Sequence, residues 1–238
     1  MILWWGKKKQ PDPKTGETPI EPVHTRDTPP SPPVAPTVVD LSTHDTPIKN
    51  QGSRLTCTSF GIVAALENML HQQTGRTFDL SEEHLWSYYK TPSRYLALKQ
   101  ATLNHIGAES DWPYNGSSNG SIQGIAKITS YLESAPDLAS VTSSLQAGRP
   151  IVFSVAINSS LRNPGSSGIV DGRVGGWKDR HVVSMVGVRV DATVPGGGYF
   201  VIKNSWGTRW GATGYGYIPF DFCNRSTCRC RPSPANSH

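Results

Sequence analysis

Four residues of this chain carry side chains that together could break an amide bond: Gln51, Cys57, His181 and Asn204. A thiolate attacks a carbonyl carbon, an imidazole moves the protons, and side-chain amides can orient the imidazole or stabilise an oxyanion. If the fold brings these four residues together, the sequence predicts a thiol nucleophile, its base, the amide that orients the base, and an oxyanion donor.

The thiol of Cys57 lies at the start of a predicted helix. Apolar residues recur at helical spacing over residues 58–73, and Gly75 follows where a C-terminal cap is expected. The partial positive charge of a helix N-terminus favours a thiolate. The alternative is a structural cysteine, because cysteine is often a small buried core residue.

The glutamine lies six residues before the thiol. A side-chain amide held at that position can aim its N–H groups at the oxyanion that forms when the thiolate adds to a carbonyl, together with the backbone N–H of Cys57. The alternative interpretation of Gln51 is a solvated loop residue.

The base must be chosen among seven histidines. His181 begins an apolar run, residues 182–186, that is typical of a buried strand, so its backbone is expected in a core while its ring faces a cleft. The amide oxygen of Asn204 can then accept from one ring nitrogen, and Trp206 can lie over that hydrogen bond. A histidine that is simply satisfied at a strand end is the alternative. The other six lie in terminal segments, at surface-like helix positions or in a loop: His24, His44, His71, His84, His105 and His238.

The elements that must position these residues divide along the chain. After the first helix, Ser81 is expected to cap a second one, and residues 95–105 predict a third that ends before Gly107. The second half instead contains β-rich runs at residues 151–157, 181–190, 198–203 and 215–218. This order predicts an α+β protein of two packed lobes, helical first and β-rich second, with a cleft between them.

The chain is expected to contain one globular domain, residues 37–222, and two further segments. Residues 1–36 hold nine of the nineteen prolines and few core-forming residues, which is typical of a flexible, extended leader. Residues 223–238 are expected to form a tail that contains Cys223, Cys228 and Cys230. A surface tail with one optional disulfide is favoured there over a zinc site, which requires four ligands. No metal and no cofactor are expected.

The charge is only mildly positive: 23 Lys and Arg against 18 Asp and Glu give +5, without a basic stripe that could follow a phosphate backbone. Nucleic acid is therefore not an expected partner. No signal peptide and no transmembrane segment are recognised, so the expected location is cytoplasmic or reached by a route without a signal peptide, and the compartment is left undetermined.

Three blocks resemble the papain family of cysteine peptidases. The Gln-Gly-Ser block with Cys57 resembles the family's oxyanion and nucleophile segment, and the run that His181 opens resembles its histidine strand. Residues 199–211, which contain Asn-Ser-Trp-Gly at 204–207, resemble its asparagine block, followed by a similar Gly-Tyr-Gly-Tyr-Ile at 214–218. The likeness covers roughly residues 38–222 and keeps the order Cys, His, Asn. It implies a papain-like fold with Cys57 as nucleophile, His181 as base and acid, Asn204 as orienter and Gln51 as oxyanion donor.

The chain departs from that family at several positions. Arg54 stands where the family usually has a cysteine of a structural disulfide, and Leu55 and Thr58 replace its usual Gly and Trp. The Gly-Gly element that binds the substrate backbone is missing between Lys90 and Tyr95. With these departures, the chain is more similar to compact microbial and viral members of the family than to its lysosomal or plant members.

The favoured function is a monomeric cysteine-type peptidase that hydrolyses peptide or isopeptide bonds of a peptide or protein substrate through an acyl-thioester on Cys57, with His181 as base and acid. Two alternatives stay open. The missing Gly-Gly element suggests a deconjugase or acyltransferase of narrow specificity. A catalytically silent binding module is the second alternative, although such a module has no physical need for Cys57 opposite His181.

Overall fold

The structure, a computed structural model, describes residues 2–4, 38–132, 137–170, 179–194 and 196–221. Helices predominate up to residue 103 and an antiparallel sheet follows. This arrangement confirms the predicted α+β fold with a helical lobe and a β-rich lobe.

The helical lobe is built from α1 (Cys57–Thr74), α2 (Glu82–Ser87) and α3 (Arg94–Leu103). The first helix ends where it was predicted to end, because Gly75 adopts the left-handed conformation with φ 66°. The second begins where it was predicted to begin, since the Ser81 side chain accepts the backbone N–H of His84 at 2.9 Å.

Helix α1 is the centre of the molecule. Nearly every residue from Thr58 to Leu70 is buried, because α2 and α3 cover one side of the helix and the sheet covers the other. Its apolar residues pack with those of α2 and α3 in one core cluster, which also includes Val152 and Val182 from the sheet. The helix that begins at Cys57 is therefore held by both lobes at once.

The β-rich lobe contains seven described strands in one antiparallel sheet. The order is β3-β1-β4-β5-β6-β7, and β2 pairs with the far end of β5. The strands are β1 (Ile2–Trp4), β2 (Val39–Asp40), β3 (Ser130–Leu132), β4 (Ile151–Ala156), β5 (Arg180–Val190), β6 (Gly198–Lys203) and β7 (Tyr215–Pro219). A second core cluster, formed mainly by β4, β5 and β6, fills this lobe.

Strand β5 carries His181 and is the longest strand. Strand β4 pairs with its first half, so that His181 lies opposite Val155, and β2 pairs with its second half at Gly187 and Val188. A Cβ atom on Gly187 would lie 2.8 Å from the Val39 carbonyl oxygen, so the glycine makes room for β2. Strand β4 thus fixes the start of β5, where His181 lies, and β2 fixes its second half.

Part of the segment expected to be an extended leader is a strand. Residues Ile2–Trp4 pair with β3, and Ile2 also pairs with Ile151 of β4. The pairing is formed by backbone groups of residues 2–4. The proline-rich composition of residues 1–36 as a whole therefore did not predict it. The tail expected over residues 223–238, with its three cysteines, lies outside the described residues.

Two helices of the second half were not predicted: α4 (Leu138–Gln146) and α5 (Ser159–Arg162). Both begin at side-chain caps, Asp137 for α4 and Asn158 for α5. Within the described ranges, no helix combines the length and the apolar character that crossing a membrane requires.

Candidate active site

The thiol of Cys57 lies on the first residue of α1 and is half-buried. The residue before it, Thr56, caps the helix without a side-chain bond to the helix backbone, because its hydroxyl bonds the Tyr114 hydroxyl at 2.6 Å instead. The thiol receives a hydrogen bond from the backbone of Val182, the residue that follows His181. The structure therefore places the sulfur beside the strand that carries the imidazole.

A close contact between α1 and β5 sets this arrangement. Gly61 lies one helical turn beyond Cys57, and a Cβ atom there would lie 2.9 Å from Cγ1 of Val182. Only a glycine allows the helix to approach the strand this closely. The nucleophile and the base thus come from different lobes but from elements in direct contact.

The ring of His181 is 2% exposed, and its Nε2 lies 2.6 Å from Oδ1 of Asn204. The same oxygen accepts the backbone N–H of Ser205 at 2.8 Å. Because a backbone N–H can only donate, this second bond identifies the accepting atom as the amide oxygen. Nε2 therefore carries a proton, and Nδ1 is the ring nitrogen left for chemistry.

The indole of Trp206 covers the imidazole. The two ring centroids are 4.3 Å apart and the planes are inclined by 29°. Trp206 is in turn held edge-on by Trp210, whose indole N–H donates to the Leu161 carbonyl at 2.7 Å. The indole therefore lies over the imidazole that bonds Asn204.

The side chain of Gln51 is buried and bonded at both of its amide atoms. Its Oε1 accepts from the Ser205 hydroxyl at 2.7 Å, and its Nε2 donates to the Arg54 carbonyl at 2.8 Å. Its backbone N–H also donates to the Ser205 carbonyl at 2.9 Å. One hydrogen of Nε2 is used in this way, and the amide nitrogen has a second one to offer.

Burial controls the protonation of the two reacting groups. It lowers the pKa of His181 to about 4, although the Asn204 oxygen favours the charged ring. It also raises the pKa of the Cys57 thiol, against hydrogen bonds from Val182 and Thr58. Each group taken alone is therefore neutral near pH 7. A transfer of the thiol proton to His181 would leave the net charge of the site unchanged, so the two groups together could supply a thiolate that neither supplies alone.

The structure adds a residue that sequence reasoning missed. Ser205 bonds Gln51 through its hydroxyl and its carbonyl, and its backbone N–H bonds Asn204. It connects the loop of Gln51, the oxyanion candidate, to Asn204, the amide that bonds His181. The signal was present, since Ser205 belongs to the Asn-Ser-Trp-Gly motif, but no role was assigned to it.

Sequence reasoning also missed a group of buried charges between the lobes. The Lys49 ammonium lies 3.2 Å from Glu67 Oε1 and 3.0 Å from Glu82 Oε1, and both carboxylates are 1% exposed. Burial raises the pKa of Glu82 to about 8, although Lys49 opposes the shift. No periodicity distinguishes these residues from solvated surface charges.

These buried charges lie next to the candidate active site. Lys203, the residue before Asn204, donates to the Thr46 carbonyl at 2.7 Å, and burial lowers its pKa. A small cavity of about 20 Å³ lies between the lobes, lined by Glu82, Lys203, Asn204 and neighbouring residues. The buried charges thus line the same cavity as Asn204, whose amide oxygen bonds His181. Within the described part of the chain, no three His, Cys, Asp or Glu side chains are grouped so that they could hold a metal ion.

Comparison with known proteins gives one consistent result. A model described as the papain family cysteine protease matches residues 35–232. A senescence-specific cysteine protease of Arabidopsis thaliana is 30% identical over 188 residues, covering 74% of this chain and 54% of that protein. Cysteine proteinase 1 of Entamoeba histolytica is 31% identical over 190 residues, covering 71% and 58%. The chain therefore spans little more than half the length of these relatives.

Solved structures agree in fold. Procathepsin L 3 from the larval midgut of Tenebrio molitor has a TM-score of 0.68 and 25% identity, covering 82% of this chain and 68% of that one. A cysteine protease of Carica candamarcensis in complex with E-64 has a TM-score of 0.63 and 30% identity, covering 77% of this chain and 89% of that one. The sheet and helices that hold Cys57, His181 and Asn204 thus belong to an architecture already known.

Proposed function

The chain belongs to the papain family of cysteine proteases, and from this premise we propose that it is a cysteine-type peptidase that hydrolyses peptide or isopeptide bonds. The thiol proton of Cys57 moves to His181, and the sulfur attacks the carbonyl carbon. The C–N bond then breaks, and the amine leaves with the proton from His181. Water, deprotonated by His181, hydrolyses the acyl-thioester and the thiol is restored.

The other site residues assist this reaction. Asn204 holds the imidazole with one ring nitrogen towards the thiol, and Trp206 excludes water from that hydrogen bond. Gln51 donates its remaining Nε2 hydrogen to the oxyanion, together with the backbone N–H of Cys57. The bonds of Gln51 to Ser205 and Arg54 support this role, because they hold the amide in place before a substrate arrives.

One observation carries the proposal. A buried imidazole bonds an amide oxygen at 2.6 Å beneath an indole, and the next backbone group of the same strand bonds a thiol at a helix N-terminus. A histidine with a purely structural role has no need of a thiol from the other lobe. The arrangement favours nucleophilic catalysis over a silent binding module.

We further propose that residues 37–222 act as the peptidase domain, as a monomer, without cofactor or nucleic acid, on a peptide or protein substrate. All of the site residues and every described helix and strand except β1 (Ile2–Trp4) lie in this range, which supports the assignment. Light scattering coupled to size-exclusion chromatography tests the monomer, and a dimer mass would contradict it.

A thiol-directed peptidyl epoxide tests the reaction. We expect it to label Cys57 and to abolish cleavage of a fluorogenic peptide library. Cys57→Ser should show no labelling at this position and less than about a tenth of wild-type turnover, because a hydroxyl is not ionised by the same base. A variant with Cys223, Cys228 and Cys230 all changed to Ser is the matched control and should remain active. Turnover by Cys57→Ser near the wild-type rate would contradict the mechanism.

A further inference from the structure

The loop between Gln51 and Cys57 is anchored at a second point, away from Ser205. The guanidinium of Arg54 forms two parallel hydrogen bonds with the Glu83 carboxylate at the start of α2, and the bond from Nη2 to Oε1 measures 2.9 Å. Its Nη1 also donates to the Asn115 side chain at 2.7 Å. A bidentate pair of this kind fixes direction as well as distance.

Tyr114 extends the anchor. The guanidinium carbon of Arg54 lies 4.8 Å from the centre of the Tyr114 ring. The hydroxyl of this tyrosine donates to the Gln51 carbonyl at 2.8 Å and bonds the Thr56 hydroxyl at 2.6 Å. The set of Arg54, Glu83 and Tyr114, called here the loop anchor, therefore contacts the first and the last residue of the loop that precedes the nucleophile.

The loop anchor also reaches the amide of Gln51 directly. The backbone carbonyl of Arg54 accepts from Gln51 Nε2 at 2.8 Å. The direction of that carbonyl depends on how the Arg54 backbone is held, and its side chain is tied to α2. A movement of Arg54 would shift the acceptor of one Nε2 hydrogen, and with it the amide whose other hydrogen is the proposed donor to the oxyanion.

We propose that Arg54 is a positioning residue for catalysis, which acts through its pairing with Glu83 to orient the Gln51 amide as oxyanion donor. The inference rests on the proposed peptidase function, and deepens it. The protonation of the pair agrees with the geometry, because hydrogen bonding to Glu83 raises the pKa of Arg54. Glu83 is a positioning residue by the same contact.

Kinetics of four variants test the role. Arg54→Ala and Glu83→Gln should each lower kcat about tenfold and change KM by less than about twofold, since only the transition state carries the oxyanion. Arg54→Lys should fall between wild type and Arg54→Ala, because lysine keeps the charge but loses the bidentate bond. Arg76→Ala is the matched control: Arg76 also lies over a ring, that of Phe78 at 5.6 Å, in the same lobe. It should behave as wild type.

A double-mutant cycle separates positioning from a general loss of structure. If Arg54 acts through Gln51, adding Arg54→Ala to Gln51→Ala should lower kcat by less than about twofold further. Independent, multiplying effects of the two substitutions would overturn the inference, as would wild-type kcat in Arg54→Ala. Thermal unfolding of each variant verifies that it is folded.

Alkylation of Cys57 by iodoacetamide, followed by peptide mapping, distinguishes this inference from the proposed function. Alkylation forms no oxyanion, so Arg54→Ala should react at the wild-type rate. A rate that falls with kcat would show that the substitution disturbs the thiol rather than the oxyanion donor, and would overturn the inference while leaving the peptidase assignment intact. Loss of the assignment itself would instead appear as wild-type turnover by Cys57→Ser.

Discussion

Replacing Gly61 with alanine tests whether the contact between α1 and β5 sets the geometry of catalysis. The added Cβ would lie 2.9 Å from Cγ1 of Val182, which is about 0.6–1.1 Å closer than two carbon atoms normally approach. Val182 cannot easily turn away, because its side chain is branched at Cβ and the residue is only 6% exposed. The helix that begins at Cys57 must therefore move away from the strand that carries His181.

The expected cost appears in rate more than in stability. Overpacking costs about 1–3 kcal/mol, and the better helix propensity of alanine returns about 1 kcal/mol, so the free energy of unfolding should fall by about 0–2 kcal/mol. A displacement of about 1 Å between reacting groups can cost about a hundredfold in rate. We expect Gly61→Ala to lower kcat by about ten- to a hundredfold.

The assay compares kcat on a fluorogenic peptide with the midpoint of thermal unfolding. Val182→Ala is the partner variant, because it removes the methyl groups that the new Cβ meets but keeps the backbone N–H that bonds the thiol. The double variant should recover most of the kcat that Gly61→Ala loses. Wild-type kcat in Gly61→Ala, or no recovery in the double variant, would refute the reasoning that this contact positions the nucleophile.

Three further predictions concern the base, the pH dependence and the N-terminal strand. His181→Ala should lower kcat more than Asn204→Ala, because the amide only orients a base that remains present; equal losses in kcat would contradict the assigned roles. The pH profile of kcat/KM should be a bell. Its acid limb should lie below the ordinary histidine pKa of about 6.5, since burial lowers the pKa of His181. Its alkaline limb should lie above the ordinary thiol pKa, since burial raises the pKa of Cys57. A flat profile would point to another mechanism. Deleting residues 1–5 should lower the free energy of unfolding, because β1 pairs with both β3 and β4. Each kcal/mol lost from that free energy should lower the melting temperature by about 2–4 °C. An unchanged melting temperature would show that β1 adds nothing to the stability of the sheet.

Local signals were the most informative part of the sequence. Gly75 and Ser81 marked the end of α1 and the start of α2 because a left-handed cap and a side-chain cap depend on single residues. The motif around Asn204 identified the family for the same reason, since its residues are close in sequence as well as in space. The roles of Gln51, Cys57, His181 and Asn204 stay predictions until variants are measured.

What the sequence did not reveal depends on distant contacts. Helix α4 consists largely of serine, threonine and β-branched residues of modest helix propensity, and it is stabilised by packing Val141 and Leu145 into the core of the β-rich lobe. The buried charges of Lys49, Glu67 and Glu82 looked like surface residues because their partners lie up to 33 positions away. The pairing of Ile2–Trp4 is more distant still.

That distance has a consequence for synthesis. Ile2 pairs with Ile151, so its strand cannot be completed until about 150 further residues have been made. At about 5–20 residues per second, the ribosome needs roughly 7–30 seconds to supply them. For most of that interval, until β3 has been made, the Ile-Leu-Trp segment is without either partner strand, and transiently exposed hydrophobic segments are prone to aggregate. The yield of active protein should therefore depend on translation speed and on chaperone supply. The final folded structure should not depend on either.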